Sequence, residues 1–170
     1  GGGQTLTVNL AGAPGEADGQ GAKINNLMGA TGSSLAVNNT GDGTAVVILN
    51  NKQMTTGEDD IDPAGQDTVM GGSITGGSNV TFIKEGTGTL TVGGTMDVET
   101  LALREGNIIL NGTENSLDTL TLEGGGLTIS GNAEIETITG TEAGGTLAIQ
   151  GTLDLTGTSS INNGAITGTG

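Results

Sequence analysis

Apolar and polar residues alternate in short segments from about residue 79 to the end of the chain, and one such segment recurs. Each copy begins with an aliphatic residue followed by an acid: VETLAL (98–103), LDTLTL (117–122), IETITG (135–140) and the more divergent LDLTGT (153–158). The copies start at Val98, Leu117, Ile135 and Leu153, and a second apolar series, Leu90, Ile108, Leu127 and Leu147, has a similar spacing. Self-similarity at a fixed period near twenty predicts a protein built of stacked repeats.

Within each repeat the apolar residues follow the two-residue period of a β-strand. Thr, Ile, Val and Leu fill the segments, and Gly or Asn separates them, as is typical of short strands joined by tight corners. We therefore predict an all-β fold, a right-handed parallel β-helix (β-solenoid) with rungs of about 18–20 residues and roughly nine rungs. Twelve aliphatic positions are expected to point inward: 98, 101, 103, 117, 120, 122, 127, 129, 135, 138, 147 and 149.

Two parts of the chain differ in regularity. Residues 1–78 predict an irregular, β-rich part of the solenoid, and residues 79–170 predict its regular rungs. In the first part, strands are expected at 5–11, 34–39 and 44–50, with a short strand or loop near 23–28. The segments 34–39 and 44–50 form either a hairpin or successive strands of one rung that bends at the Gly-Asp-Gly corner between them. Asparagines at predicted corners are expected to adopt left-handed backbone or to stack as ladders: Asn38, Asn39, Asn50, Asn51, Asn162 and Asn163.

The charge balance excludes some partners. The chain has 4 basic and 19 acidic residues and a formal net charge of −15. Nucleic-acid binding needs a basic stripe that neutralises phosphates, so no nucleic-acid partner is expected. No apolar run reaches the ~18 residues that a membrane-spanning helix needs. Intrinsic disorder is the competing interpretation of so polar a chain, but a disordered sequence has no reason to keep its aliphatic residues in phase.

The residue inventory offers little for catalysis. The chain has no His, Cys or Tyr, so it lacks a histidine base, a Ser-His-Asp triad and a thiolate nucleophile. A pair of carboxylates could cleave a sugar, and parallel β-helices host such enzymes, but they normally hold the sugar with basic and aromatic side chains. This chain has one aromatic residue, Phe82. We expect no enzymatic activity and no required cofactor, and a polysaccharide-active enzyme is the least supported alternative.

The acid at the start of each repeat is a candidate site. In register, Glu99, Asp118, Glu136 and Asp154 would lie one above another at ~4.8 Å along one ridge. Like charges that close repel each other or recruit a cation, and carboxylate oxygens are the ligands that Ca²⁺ prefers. The ridge is therefore either a Ca²⁺-binding or adhesive surface or a column of solvated carboxylates.

A second acidic concentration lies in the polar run at residues 55–67, where Glu58, Asp59, Asp60 and Asp62 stand close together. Their spacing is not that of an EF-hand loop, and no Gly-Gly-x-Gly-x-Asp repeat occurs in the chain. Four carboxylates in one loop could hold Ca²⁺ weakly, and a solvated acidic loop is the alternative.

The stretch NVTFIKEGTGTLTVGG (79–94) resembles the passenger-associated strand repeat of bacterial autotransporters. The matching features are an aliphatic strand ending in Lys84, the Gly86-x-Gly88 corner, a Thr-Leu-Thr-Val strand and a closing glycine pair. Glu85 departs from the pattern, which usually has Thr or Ser there. The strong match is confined to 79–94, and the general texture extends over 79–170. The resemblance implies a secreted right-handed β-helix on a Gram-negative cell surface that serves in adhesion, in display or as a stalk, and it brings no catalytic residue.

An extracellular filament or matrix subunit is the alternative function. The ends of a solenoid are unpaired strand edges, and end-to-end contacts between copies would propagate into a fibre. Expected partners are therefore other copies of the chain, or neighbouring rungs of a longer chain, together with host-surface or matrix components. The expected location is the bacterial cell surface or the extracellular space.

Overall fold

A computed structural model describes residues 3–12, 21–51 and 65–168, and within these ranges every regular element is a β-strand. No helix there is long and apolar enough to cross a membrane. The strands are β1 (Thr5–Leu10), β2 (Gly21–Asn25), β3 (Ser34–Asn39), β4 (Ala45–Asn50), β5 (Thr68–Met70), β6 (Ser73–Gly76), β7 (Val80–Glu85), β8 (Thr89–Val92), β9 (Met96–Leu103), β10 (Asn107–Leu110), β11 (Asn115–Leu122), β12 (Gly126–Ile129), β13 (Asn132–Gly140), β14 (Gly145–Ile149), β15 (Thr152–Leu155), β16 (Ser159–Ile161) and β17 (Gly164–Gly168).

These strands form two sheets, and each pairing between them is parallel. The first sheet has eleven strands in two arms, β1-β3-β6 and β2-β4-β7, which join at β9 and continue through β11 and β13. Beyond β13 the arms separate again into β15 and β16. The second sheet has six strands in the order β17-β14-β12-β10-β8-β5. The all-β class and the parallel pairing that the sequence predicts are confirmed.

From β3 onwards the chain visits the two sheets in turn and returns one layer further along, so each pass is one repeat. The first described repeat places β1 and β2 in the first sheet and contacts the second through the isolated bridge Gly29–Met70. The described residues make seven repeats rather than the nine expected, because the N-terminal repeats are longer. Thr5 pairs with Ser34 and Ser34 pairs with Ser73, so these two passes far exceed the predicted rung length. The predicted length is reached from β9 onwards, where Asp97 pairs with Ser116 and Ser116 with Glu134.

Inward-facing side chains stack in columns, one residue per repeat. One column contains Val47, Phe82, Leu101, Leu120 and Ile138, each with at most 1% of its surface exposed. Burying an aliphatic side chain of this size contributes about 1.5–3 kcal/mol, so the columns supply most of the favourable energy of each layer. Of the twelve aliphatic positions predicted to point inward, eleven are buried, and Ile149 is partly buried against the same core.

The fourth sequence copy is out of register with the other three. Leu153 pairs with Ala133, and it is Leu155 that pairs with Ile135. The predicted equivalence of Leu153 with Ile135 is therefore wrong by two positions. A slip of two keeps the same side chains pointing inward, since the side-chain period of a strand is two. The alternation of apolar residues alone cannot distinguish the two registers.

In the N-terminal part, the strands predicted at 5–11, 34–39 and 44–50 are present as β1, β3 and β4. β3 and β4 belong to different arms of the first sheet and do not pair with each other. The hairpin alternative is wrong, and the two strands follow each other within one repeat.

Asparagine ladders form at two of the predicted positions. Asn38 Nδ2 donates to Asn9 Oδ1 (3.1 Å), and Asn50 Nδ2 donates to Asn25 Oδ1 (2.8 Å). Among the described residues, left-handed backbone occurs instead at two asparagines outside the predicted set, Asn26 and Asn79.

The column structure predicts unequal costs for neighbouring substitutions in β11. Leu120→Ala leaves a cavity in a fully buried column and is expected to lower the free energy of unfolding by about 2–5 kcal/mol. Thr119→Ala, which changes an outward neighbour, is expected to cost about 0.5 kcal/mol or less. Urea unfolding followed by far-UV circular dichroism measures both. Similar losses in the two variants would contradict the inward orientation of Leu120.

Candidate functional site

Three of the four ridge acids share one column on the outside of the first sheet. The pairs Val98–Leu117 and Thr100–Thr119 place Glu99 beside Asp118, and Leu117–Ile135 with Thr119–Thr137 places Asp118 beside Glu136. We call these three residues, Glu99, Asp118 and Glu136, the Glu99 column. The fourth acid does not belong to it.

Asp154 lies instead in a neighbouring column. It pairs with Glu134, which pairs with Ser116, which pairs with Asp97. The prediction that Asp154 continues the Glu99 column is wrong, for the same reason that Leu153 is out of register. The outer face of this arm therefore carries two short acidic columns rather than one long ridge.

Glu99 has a structural role that the other members of its column do not show. Its carboxylate accepts a hydrogen bond from the backbone N–H of Asn79 (2.6 Å), a corner residue with φ 57° in the preceding repeat. Asp118 and Glu136 are exposed to solvent. One acid of the predicted site thus caps a corner, and two are solvated.

A surface groove of about 360 Å³ lies beside the second acidic column, where Glu114, Glu134 and Asp154 contribute carboxylates. The buried Asn115 also lines it, but its amide is used internally: Oδ1 accepts from Met96 N (2.9 Å), and Nδ2 donates to Gly112 O (2.7 Å) and Asn132 O (2.8 Å). Among the described residues, no three acidic side chains lie close enough to hold a metal ion.

The other predicted acidic site, Glu58, Asp59, Asp60 and Asp62, lies outside the described residues. Calcium binding there stays a prediction.

The most unusual side chain in the described structure is Lys84, which sequence reasoning did not single out as a site. It points inward between aliphatic neighbours: it pairs with Leu49 on one side and Leu103 on the other, and its exposed fraction is 0%. The ammonium donates to the backbone carbonyls of Glu85 (2.9 Å), Gly86 (2.7 Å) and Glu105 (3.4 Å). Three acceptors match its three protons, and they come from two successive repeats.

The corner around Lys84 depends on left-handed glycines. Gly86 and Gly106 have φ of 75° and 68°, a region that suits glycine because it has no Cβ. A Cβ on Gly106 would lie 2.8 Å from Lys84 Nζ, so a side chain there would displace the ammonium. Glu105 completes the corner, because its carboxylate accepts from the Gly86 N–H (3.2 Å).

Burial lowers the pKa of Lys84 from 10.5 to about 8, against the opposing attraction of Glu105, Asp67 and Glu85. The carbonyl contacts keep the group hydrogen-bonded, but the aliphatic column on both sides removes water from it. Because all three protons are used and the side chain is buried, the amine is held for structure and is not open to a substrate.

Ion pairs run along the outside of the same corner. Arg104 lies between Glu85 (3.5 Å) and Glu123 (3.0 Å), and Lys23 lies 3.8 Å from the other oxygen of Glu85. The hydrogen bond to Glu123 is the largest cause that raises the pKa of Arg104. Since these side chains are between 28% and 48% exposed, each pair contributes about 1 kcal/mol or less. Together they join four repeats at one edge.

Comparisons of the chain with protein-family models, with curated proteins and with solved structures found no match.

The buried ammonium predicts stability that rises with pH. The folded-state pKa of about 8 lies below the unfolded value of 10.5, so the unfolded chain binds more protons between these values. The free energy of unfolding should therefore increase from about pH 8 to pH 10.5, by on the order of 3 kcal/mol at most. Urea unfolding at several pH values measures this slope, and Lys84→Met should abolish it. An equal slope in both proteins would show that Lys84 is not its source.

The hydrogen bond that Glu99 accepts from Asn79 predicts that substitutions within the Glu99 column differ in their effect on stability. Glu99→Ala removes a charged acceptor from a backbone N–H and is expected to cost about 1 kcal/mol. Asp118→Ala, the matched control, changes an exposed acid of the same column and should stay within about 0.5 kcal/mol of the parent or stabilise slightly. Denaturant unfolding measures both variants, and equal losses of stability would contradict the structural role of Glu99.

Proposed function

We propose that this chain winds into a closed, right-handed parallel β-helix that serves as a non-enzymatic rod of a bacterial surface protein, in the manner of an autotransporter passenger. The observation that supports it most is the unbroken stacking of seven described repeats through parallel pairing, with apolar columns between two sheets. A chain that alternates between two parallel sheets and advances one layer per pass is what a β-helix requires.

The resemblance of residues 79–94 to the passenger-associated strand repeat adds a location and a role. The lysine of that stretch is the buried Lys84, and its Gly-x-Gly is the corner that follows. The best-matched residues therefore form one structural unit. That unit holds two layers together, which suits a rod whose task is mechanical.

Residue usage also favours a structural role over an enzymatic one. The chain has no His, Cys or Tyr, and its described acids serve as corner caps, as ion-pair partners or as solvated side chains. Adhesion or display then relies on the outer faces, with a host-surface or matrix component as the partner.

Surface display provides the direct test. Joined upstream of the membrane barrel of an autotransporter and expressed in a Gram-negative host, the chain should reach the cell exterior, where protease added to intact cells can cleave it. A second fusion protein that ends in the same barrel but carries an unrelated, stably folded domain provides the control. Retention of this chain inside the cell, with the barrel correctly inserted, would contradict the passenger role.

End-to-end assembly is the second candidate function, and the terminal layers support it. Leu6 is 55% exposed in the first described repeat, and Leu155 and Ile166 are 40% and 52% exposed in the last. Leu6 begins the inward column that ends at Leu153, and Val8 begins the one that ends at Leu155. A second copy stacked on the last described layer would continue these columns and pair with the strand edges of that layer.

Light scattering and negative-stain microscopy, first with Ca²⁺ and then with a chelator, separate the two candidates. Monomers under both conditions are expected of a passenger rod with solvated acidic columns. Fibres would favour the filament subunit instead. If fibres or thermal stability required Ca²⁺, and Asp118→Asn removed the requirement, the acidic columns would be the cation ligands.

A further inference from the structure

The outer face of the second sheet, over the strands that the structure describes, carries no charge, although the chain has a net charge of −15. None of its six strands contains Asp, Glu, Lys or Arg. Its central outward column consists of one small or β-branched residue per strand, and we call it the neutral column: Val69, Thr91, Ile109, Thr128, Ala148 and Thr167. The outward positions on either side of this column hold Thr, Asn, Gly, Ser, Gln or Ala, except that Asp67 lies just before β5 and accepts a hydrogen bond from Thr89 N (2.7 Å).

The outer faces of the first sheet are bounded by acids in the described structure. One arm carries the two acidic columns. The other arm has uncharged outward residues such as Thr100, Thr119 and Thr137, but it lies between the Glu99 column and the pairs that Arg104 forms with two glutamates. Two copies that met on either arm would bring carboxylates together, at a cost that grows as water is excluded.

We propose that two copies of this chain associate laterally through the neutral column, antiparallel to each other, so that β10 of one copy faces β12 of the other. The pairing uses a sheet face rather than strand edges, so it goes beyond both the rod and the end-to-end filament. Its failure would leave the proposed function intact.

The order of side chains in the neutral column selects the antiparallel arrangement. A two-fold axis along the strands places Val69 opposite Thr167, Thr91 opposite Ala148 and Ile109 opposite Thr128. The combined size of the two facing side chains then varies less from level to level than in the parallel arrangement, which keeps the spacing between the sheets more even. The parallel alternative would place Ile109 against Ile109 and Ala148 against Ala148. The two isoleucines would push the sheets apart at one level, and the two alanines would leave a space between them at another.

The size of the face limits the affinity. Six strands at ~4.8 Å and about four residues per strand give roughly 400 Å² per copy. Stable pairs usually bury about 800 Å² per partner, so this association is weak. Its free energy becomes appreciable only where two rods lie side by side over several repeats. Added salt should strengthen it, because salt screens the repulsion between two acidic molecules.

Cross-linking tests the register directly, because the chain has no cysteine of its own. Thr91→Cys carrying a mass tag is mixed with untagged Ala148→Cys and treated with a short bismaleimide. These two positions face each other in the proposed pair, whereas each lies three strands, about 14 Å along the column, from its own copy. The mixed dimer should exceed the two homodimers combined by on the order of fivefold, whereas random collision gives equal amounts. Thr119→Cys, on the outside of the first sheet, should give the random result with either partner.

Two outcomes would overturn the proposal. Predominance of the Thr91→Cys homodimer would place β8 against β8, and a random product ratio would contradict the interface. Sedimentation equilibrium gives an independent measure: self-association of the parent should be lost in Ile109→Glu and kept in Thr119→Glu. Because end-to-end stacking does not use Ile109, association that survives Ile109→Glu would be assigned to the ends and would also count against lateral pairing.

Discussion

Parallel pairing in register between successive repeats places each inward side chain on its counterpart in the next layer, about 4.8 Å away. The core is therefore a set of columns one side chain wide, such as Phe82, Leu101 and Leu120, and no layer can bury its apolar residues without a neighbour. The corners obey the same constraint, because their backbones also stack. Gly86 and Gly106 have left-handed backbone and leave no space for a Cβ. Glycine is abundant in this chain largely because corners must stack as closely as strands do.

Sequence reasoning predicted the columns but not all of their registers. Alternation identified Leu101, Leu120 and Ile138 as inward, because burial of one face leaves a period of two in the sequence. It misplaced Leu153 and Asp154, since a shift of two positions preserves that period and only the lengths of the corners decide between registers. The predicted count of repeats was too high because the N-terminal repeats contain more residues: Thr5 pairs with Ser34 and Ser34 with Ser73, so the added length brings no added layer.

The candidate site shows even more clearly which features the sequence alone does not predict. Three of the four acids predicted as a ridge do share a column, yet sequence could not show that Glu99 is used to cap Asn79. Lys84 was overlooked although it occupies an inward position between Phe82 and the Gly86 corner, because lysine is almost never fully buried without a partner. Its partners are backbone carbonyls, and a sequence does not display the direction in which carbonyls point. The sequence feature that could have identified it is a lysine at an inward-facing position just before a Gly-x-Gly corner.

The reach of Lys84 across two layers has a mechanical consequence. Tension applied along the stack pulls layers apart one after another, and each separation breaks the ladder hydrogen bonds of a single interface. Between the layers of β7 and β9 the seam also holds the ammonium, whose acceptors lie on both sides, and the Glu85–Arg104 pair outside it. That seam therefore resists peeling more than a seam of aliphatic columns alone. It lies between the longer N-terminal repeats and the short, regular ones, so these contacts strengthen the junction between the two parts of the stack.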